Sequence, residues 1–295
     1  MPSVNQEVAT ATMLTGTALT PAALGLIVVF AGVLGLVIGS FLNVVAYRVP
    51  AGIALTRESR CPQCDARVRP WQNVPVLAWI ALRGRCATCS APISPRYPLV
   101  EAATGLIFAA VAWYFAAPTM TTAAGGAPAA VVVAVAYLYF AAVSVVLSLI
   151  DLDTRRLPNA IVLPSYIVSL VLLAAACVLG ADWSALLRAV IAMAVLFAFY
   201  ALLRLIRPDG MGGGDVKLAG LIGIQLGWLG WGSVVVGAFA AFLLGGVFGV
   251  ALLLARRAGR RTAIPFGPWM LVGAWVGIVA GESIARWYLG LLVGA

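Results

Sequence analysis

The sequence predicts an all-α polytopic membrane protein of about eight transmembrane helices, interrupted by one cysteine-rich loop on the cytoplasmic side. Three observations predict it. Of the 295 residues, 63% are hydrophobic and only 10% charged, with a mean hydropathy of +1.05. An ordinary soluble domain is about half apolar and about a quarter charged, and could not hide so much apolar surface inside. Apolar stretches recur at the length a bilayer demands, roughly 20 residues at 1.5 Å rise each. Finally, four of the five cysteines fall in the only sizeable polar segment.

Taken in order, residues 1–21 read as a disordered external tail, because they lack the basic n-region of a cleavable signal. A first transmembrane helix is expected over 22–46. The cytoplasmic cysteine-rich loop domain follows over 47–98, and a seven-helix membrane domain over 99–295. Within that domain the apolar runs lie at about 99–117, 129–150, 162–180, 185–206, 217–231, 233–255 and 269–291. The run at 217–231 is the shortest. Strand alternation is absent, so the spans must be helices that satisfy their own backbone groups in lipid. The segment 118–128, rich in Thr, Ala, Gly and Pro, reads as an ordinary external loop.

Charge orients the spans. The loop after the first span holds Arg48, Arg57, Arg60, Arg67, Arg69, Arg83, Arg85 and Arg96. Later connections on the same side hold Arg155 and Arg156, then Arg207 and Lys217, then Arg256, Arg257, Arg260 and Arg261. The alternate connections, near 118–128, 181–184 and 230–233, have no Lys or Arg. Basic loops stay in the cytoplasm, so both termini are expected outside. Arg188 and Arg286, near external helix ends, are the exceptions. The net charge of +9 therefore reads as topology and contact with anionic lipid. No basic stripe is interleaved with aromatics, which argues against a nucleic-acid partner.

There is no histidine and a single lysine. That excludes Ser-His-Asp and Cys-His sites, H-E-x-x-H metalloprotease sites and any histidine-ligated metal. The ten carboxylates and five cysteines remain.

The cysteines form two C-x-x-C units, Cys61-Pro-Gln-Cys64 and Cys86-Ala-Thr-Cys89, separated by 21 residues. This is zinc-ribbon-like spacing: each unit brings two thiolates to one ion, and two units complete a closed, structural tetrahedral site. Two disulfides are the alternative, disfavoured in a reducing compartment. Zinc binding would supply much of the folding free energy of so short a loop. Cys177, inside a span, reads as a small buried apolar residue.

The carboxylates sort by position. Glu7, Glu58, Asp65 and Asp182 fall in the tail, among loop arginines or in a turn, and read as solvated. Glu101 and Glu282 lie within spans, where an acid is a functional candidate by default, although an ion pair or hydrogen bond explains each equally well. Asp153 reads as a partner of the neighbouring Arg155 and Arg156, and Asp209 as a turn residue. Asp151 ends an apolar run at the cytoplasmic interface. Asp215 closes Gly210-Met211-Gly212-Gly213-Gly214-Asp215 and begins a helix. Between them the chain crosses the membrane and returns, so both face the same side. Two carboxylates held close do not both ionise readily; one keeps a proton while the other activates water. That chemistry needs neither histidine nor a catalytic metal. The plainer alternative is two unconnected helix-end aspartates.

The chain resembles the type IV prepilin peptidases, GxGD-type membrane aspartyl proteases. The resemblance rests on Gly39-Ser40-Phe41-Leu42-Asn43-Val44-Val45 through Arg48, the two C-x-x-C units, and Ile93-Ser94-Pro95-Arg96-Tyr97-Pro98-Leu99-Val100-Glu101. It continues in Ile150-Asp151-Leu152-Asp153 through Leu157-Pro158-Asn159, in Gly210 through Leu218, and in Ile264-Pro265-Phe266-Gly267-Pro268. It implies an integral inner-membrane protease with Asp151 and Asp215 as its catalytic pair, cutting the basic leader of prepilins or pseudopilins on the cytoplasmic side. It also implies methylation of the new N-terminus by S-adenosylmethionine, for which no binding residues are assigned. The departures are Asn159, where an acid often follows Leu-Pro, and a longer external tail. A transporter with intramembrane acidic ion sites is the competing reading; its acids would sit near the bilayer midplane.

Overall fold

A computed structural model describes residues 20–208, 211–255 and 265–293. The tail 1–19, Asp209, Gly210, Arg256, Arg257, Arg260, Arg261 and Ile264 lie outside the described residues. Among those described there are ten α-helices and no strand. They are α1 (Pro21–Arg48), α2 (Leu77–Ala81), α3 (Arg96–Phe115), α4 (Pro118–Ala123), α5 (Ala127–Thr154), α6 (Asn159–Val178), α7 (Trp183–Ile206), α8 (Gly213–Leu229), α9 (Trp231–Leu254) and α10 (Gly267–Val293).

Seven helices are long and apolar enough to cross a membrane: α1, α3, α5, α6, α7, α9 and α10. The protein is a multi-pass membrane protein. The eighth expected span is α8, whose 17 residues cover about 26 Å at 1.5 Å each. It tolerates being short because it is the central helix of its half: Val216 and everything from Leu218 to Trp228 is buried. The surrounding helices, not lipid, cover it.

Local sequence explains the ends. The Thr20 hydroxyl accepts from the Ala23 N–H at 3.2 Å and Pro21 opens α1. Asp182 caps α7 by accepting from the Ser184 N–H at 2.8 Å, a sharper role than a solvated turn residue. Arg155 ends α5 in the left-handed conformation, φ 53°. The segment 118–128 is not a plain loop: Pro118 initiates α4, and the Thr122 hydroxyl donates back to Pro118 O at 2.9 Å.

Small residues set the packing. The most extensive contacts join α9 to α10, α1 to α3 and α7 to α8. A Cβ at Gly35 or Gly39 of α1 would come within 2.7 Å of Thr104 O or 2.8 Å of Glu101 Cα in α3. Gly223 of α8 meets Ala192 of α7, and Gly273 of α10 meets Ala241 of α9, equally closely. Backbones touching in this way supply the van der Waals contact that drives helix association in lipid.

Both charged exceptions in sidedness donate to helix backbone carbonyls. Arg188 donates from Nε to Gly227 O at 2.7 Å and from Nη2 to Trp228 O at 2.8 Å, capping the last carbonyls of α8. Arg286 donates from Nε to the backbone oxygen of Glu282 at 3.2 Å. The Glu282 carboxylate instead accepts from the Ser233 N–H at 3.1 Å, at the start of α9. Glu282 is thus a structural hydrogen-bond acceptor.

The segment between α1 and α3 is a small polar module. It carries a 3₁₀ turn at Pro70–Asn73, helix α2 and two isolated antiparallel bridges, Arg60 with Arg67 and Arg85 with Pro92. Two buried groups fasten it to the membrane body. Arg48 donates to the carbonyls of Ala54 at 3.3 Å and Leu55 at 2.9 Å. Glu101, also buried, accepts from the Val76 N–H at 2.7 Å.

Candidate active site and metal centre

Three helix ends converge around the two aspartates. Asp151 lies in the last turn of α5 and is only 4% exposed. Its Oδ2 accepts from the Gly267 N–H at 3.0 Å, the first residue of α10. Asp215 lies in the first turn of α8, and its Oδ2 accepts from the Gly212 N–H at 3.0 Å. Each carboxylate therefore occupies a helix N-terminus, where unpaired N–H groups and the helix dipole favour negative charge. The two are electrostatic neighbours.

Glycines and one leucine fix this proximity. A Cβ on Gly267 would stand 2.7 Å from Asp151 Oδ2 and 3.5 Å from Leu157 Cδ2. A Cβ on Gly214 would stand 2.9 Å from Leu157 Cβ. Leu157 thus wedges between the residue beside Asp215 and the residue that binds Asp151. Gly213 and Gly214 leave room for this approach, since a Cβ on them would clash with Arg204 and Leu157 respectively. Tyr200, 2% exposed and an electrostatic neighbour of Asp215, stacks on Phe242 at 5.4 Å, which packs on Phe266 at 5.4 Å. This aromatic wall runs from Tyr200 to Phe266, the residue before Gly267. Arg204, in the last turn of α7, lays its guanidinium against Gly213.

Asp153 and Asn159 have structural partners. Asp153 does not pair with Arg155 or Arg156; it forms a bidentate pair with Arg96 at 2.8 and 2.7 Å. Asn159 accepts from Lys217 Nζ at 2.9 Å. Cys177 is buried, as its place in a span suggested.

The other four cysteines converge. Their sulfurs all lie within 4.8 Å of one another, and Cys61 Sγ is 3.8 Å from Cys89 Sγ. None is in a disulfide. Thiolates about 2.3 Å from a common tetrahedral ion stand about 3.8 Å apart, so the donor set is positioned to hold a metal ion. The two units repeat one backbone design. Cys61 N–H donates to Ala66 O at 2.9 Å and Asp65 N–H to Cys61 O at 3.0 Å; Cys86 N–H donates to Ala91 O at 2.8 Å and Ser90 N–H to Cys86 O at 3.0 Å. Asp65 and Ser90, each following a second cysteine, both adopt left-handed φ, 53° and 58°. Backbone donation from Cys89 and Thr88 pulls the Cys86 thiol down to about 6. Cys64, although Ala66 donates to it, is pushed up to about 12 by the thiols around it.

Residues 33–115 match the bacterial peptidase A24 N-terminal domain, and residues 138–250 match the type IV leader peptidase family. Curated relatives agree along nearly the whole chain. A prepilin leader peptidase/N-methyltransferase of Stutzerimonas stutzeri is 35% identical over 282 residues, covering 87% of this chain and 92% of the relative. Those of Pseudomonas aeruginosa and Aeromonas hydrophila are 35% and 36% identical, covering 87% and 86% of this chain and 91% of each relative. The chain belongs to the type IV leader peptidase family. No solved structure matches it.

Within this leader peptidase family member, the four cysteines fall in the first matched region and both aspartates in the second. Gly267 lies beyond both. Sequence reasoning quoted it within a motif but assigned it no role, and it missed Leu157, Tyr200 and Arg204 as neighbours of the pair. The transporter alternative is not favoured: Asp215 stands in the first turn of α8, not at its middle.

Proposed function

We propose that this protein is a membrane aspartyl endopeptidase that removes the basic leader of type IV prepilins or pseudopilins, with Asp151 and Asp215 as its catalytic pair. The observation that carries the reading is the convergence of two carboxylates, from helices 64 residues apart in the chain, onto the ends of α5, α8 and α10. One carboxylate takes a proton from water, which attacks the scissile carbonyl. The other donates a proton to the carbonyl oxygen. The Gly267 and Gly212 N–H groups hold the pair in register.

The distribution of Arg and Lys supports placing this site at the cytoplasmic face of a bacterial inner membrane. A substrate with an apolar helix then diffuses in the bilayer and presents its leader junction there. The domain division follows: residues 22–46 as first span, 47–98 as cysteine module, 99–295 as the protease body. The thiolate cluster fits zinc, which Cys61, Cys64, Cys86 and Cys89 would hold in a closed, structural site. Zinc there would supply folding free energy to the module and leave no position for substrate.

The relatives' names support a second activity, methylation of the new N-terminus by S-adenosylmethionine. The open cavity of the module, lined by Arg83, Arg85, Cys86 and Ser90 with Ala81, Leu82 and Ala87, offers no aromatic or acidic side chain to an adenosine. That lining gives no ground for placing the methyl donor there.

The test is incubation of purified protein with a prepilin and labelled S-adenosylmethionine, following cleavage and methyl incorporation separately. Asp151→Asn and Asp215→Asn should each abolish cleavage while leaving the protein in the membrane. Undiminished cleavage by both variants would overturn the assignment.

A further inference from the structure

The cysteine module is polar in composition yet carries a row of exposed apolar side chains. Trp71, Val74, Leu77 and Ile80 are 53%, 43%, 65% and 60% exposed. The opposite face of the same segment is turned inward. Ala78 is buried, the Trp79 indole N–H donates to Ile93 O at 3.1 Å, and the Trp79 ring packs against Gly84. The segment is therefore amphipathic, with its apolar side uncovered.

Two further observations say what covers it. The first is continuity with the membrane band. Val76, in the middle of the row, is held by Glu101 within α3, and the first turns of α3 present Tyr97 and Leu99 at 48% and 66% exposure. The row thus sits where a spanning helix enters the bilayer. The second is charge. Arg69 precedes the segment, and Arg83 and Arg85 follow it. Among the described residues these three make no ion pair, whereas Arg60 and Arg67 are engaged by Glu58 and Asp65. An apolar row with a tryptophan, bracketed by uncompensated arginines, has the chemistry of an interfacial segment on anionic lipid.

We infer that residues 71–80 lie in the bilayer surface on the module's side, with Trp71, Val74, Leu77 and Ile80 among the acyl chains and Arg69, Arg83 and Arg85 on anionic headgroups. The cysteine module is then docked on the membrane instead of projecting from it. This placement rests on the multi-pass architecture and is independent of the proteolytic reading.

The full-length protein, reconstituted in vesicles of phosphatidylglycerol or of phosphatidylcholine brominated near the headgroup end of the acyl chains, tests it. Subtracting the emission of Trp71→Phe isolates Trp71. Its emission should be quenched, and more in phosphatidylglycerol. Ile80→Trp in the Trp71→Phe background should add a second quenched component, which keeps the test independent of any one variant. Unquenched emission at both positions would overturn the inference. So would quenching that disappears on adding a prepilin or on diluting the protein in the bilayer, because either would make the face a protein interface. Equal quenching in both lipids would overturn the role given to the arginines.

Discussion

Gly267→Ala tests the geometry of the carboxylate pair with one methyl group. The added Cβ would stand 2.7 Å from Asp151 Oδ2, where ordinary contact begins at 3.4 Å, so the carboxylate must retreat by about 0.7 Å. The obstacle is a rotatable side chain and not backbone, so the fold accommodates it by turning Asp151 away from the Gly267 N–H. Misplacing a catalytic group by 1 Å costs about 10²-fold. A kcat loss of tens of fold, up to about 10²-fold, is expected, equivalent to roughly 2–3 kcal/mol of transition-state stabilisation. The assay is initial-rate cleavage of a prepilin by protein matched for membrane level, with kcat and KM separated. kcat should fall more than KM changes, because the added methyl displaces the Asp151 carboxylate. Gly246→Ala is the control, since a Cβ there meets nothing within 4 Å. A Gly267→Ala protein that cleaves at the wild-type rate would refute the claim that this hydrogen bond positions a catalytic group.

Two further outcomes follow from the structure. After metal stripping at pH 7, Cys86, held down to about 6, should be alkylated before Cys64, raised to about 12, because the thiolate is the reactive form. Mass spectrometry reads the order, and protection of all four on adding zinc would confirm the centre; alkylation unaffected by zinc would deny it. Reversing one partner of the Arg96–Asp153 pair should lower thermal stability, and the exchanged double variant should recover it. The pair is bidentate but nearly half-exposed, so a double-mutant cycle should give about 1 kcal/mol or less. A coupling of zero would remove it as a link between α3 and α5.

What the sequence disclosed was what local pattern controls. Helix α8 begins within the glycine run, at Gly213, α5 stops three residues after Asp151, and the spans lie within four residues of the apolar runs, because length and hydropathy decide them. The cysteine spacing anticipated a cluster because each C-x-x-C unit is its own template, left-handed turn included. The partners of the buried acids were not legible. Asp153 stands beside Arg155 and Arg156 in sequence yet pairs with Arg96, 57 residues away. Asp151 binds an N–H 116 residues distant, and no short-range signal marks Gly267 as its donor. Such pairings depend on how helices pack, which is set by small residues scattered along several spans. The same holds for Leu157, whose wedge position emerges only when α5, α8 and α10 are brought together.

The bond from Gly267 to Asp151 also bears on biosynthesis. Asp151 and Asp215 are both translated and inserted well before α10, yet the N–H that holds Asp151 belongs to the first residue of that last helix. Asp151 therefore lacks this hydrogen-bond partner until α10 has packed beside α5.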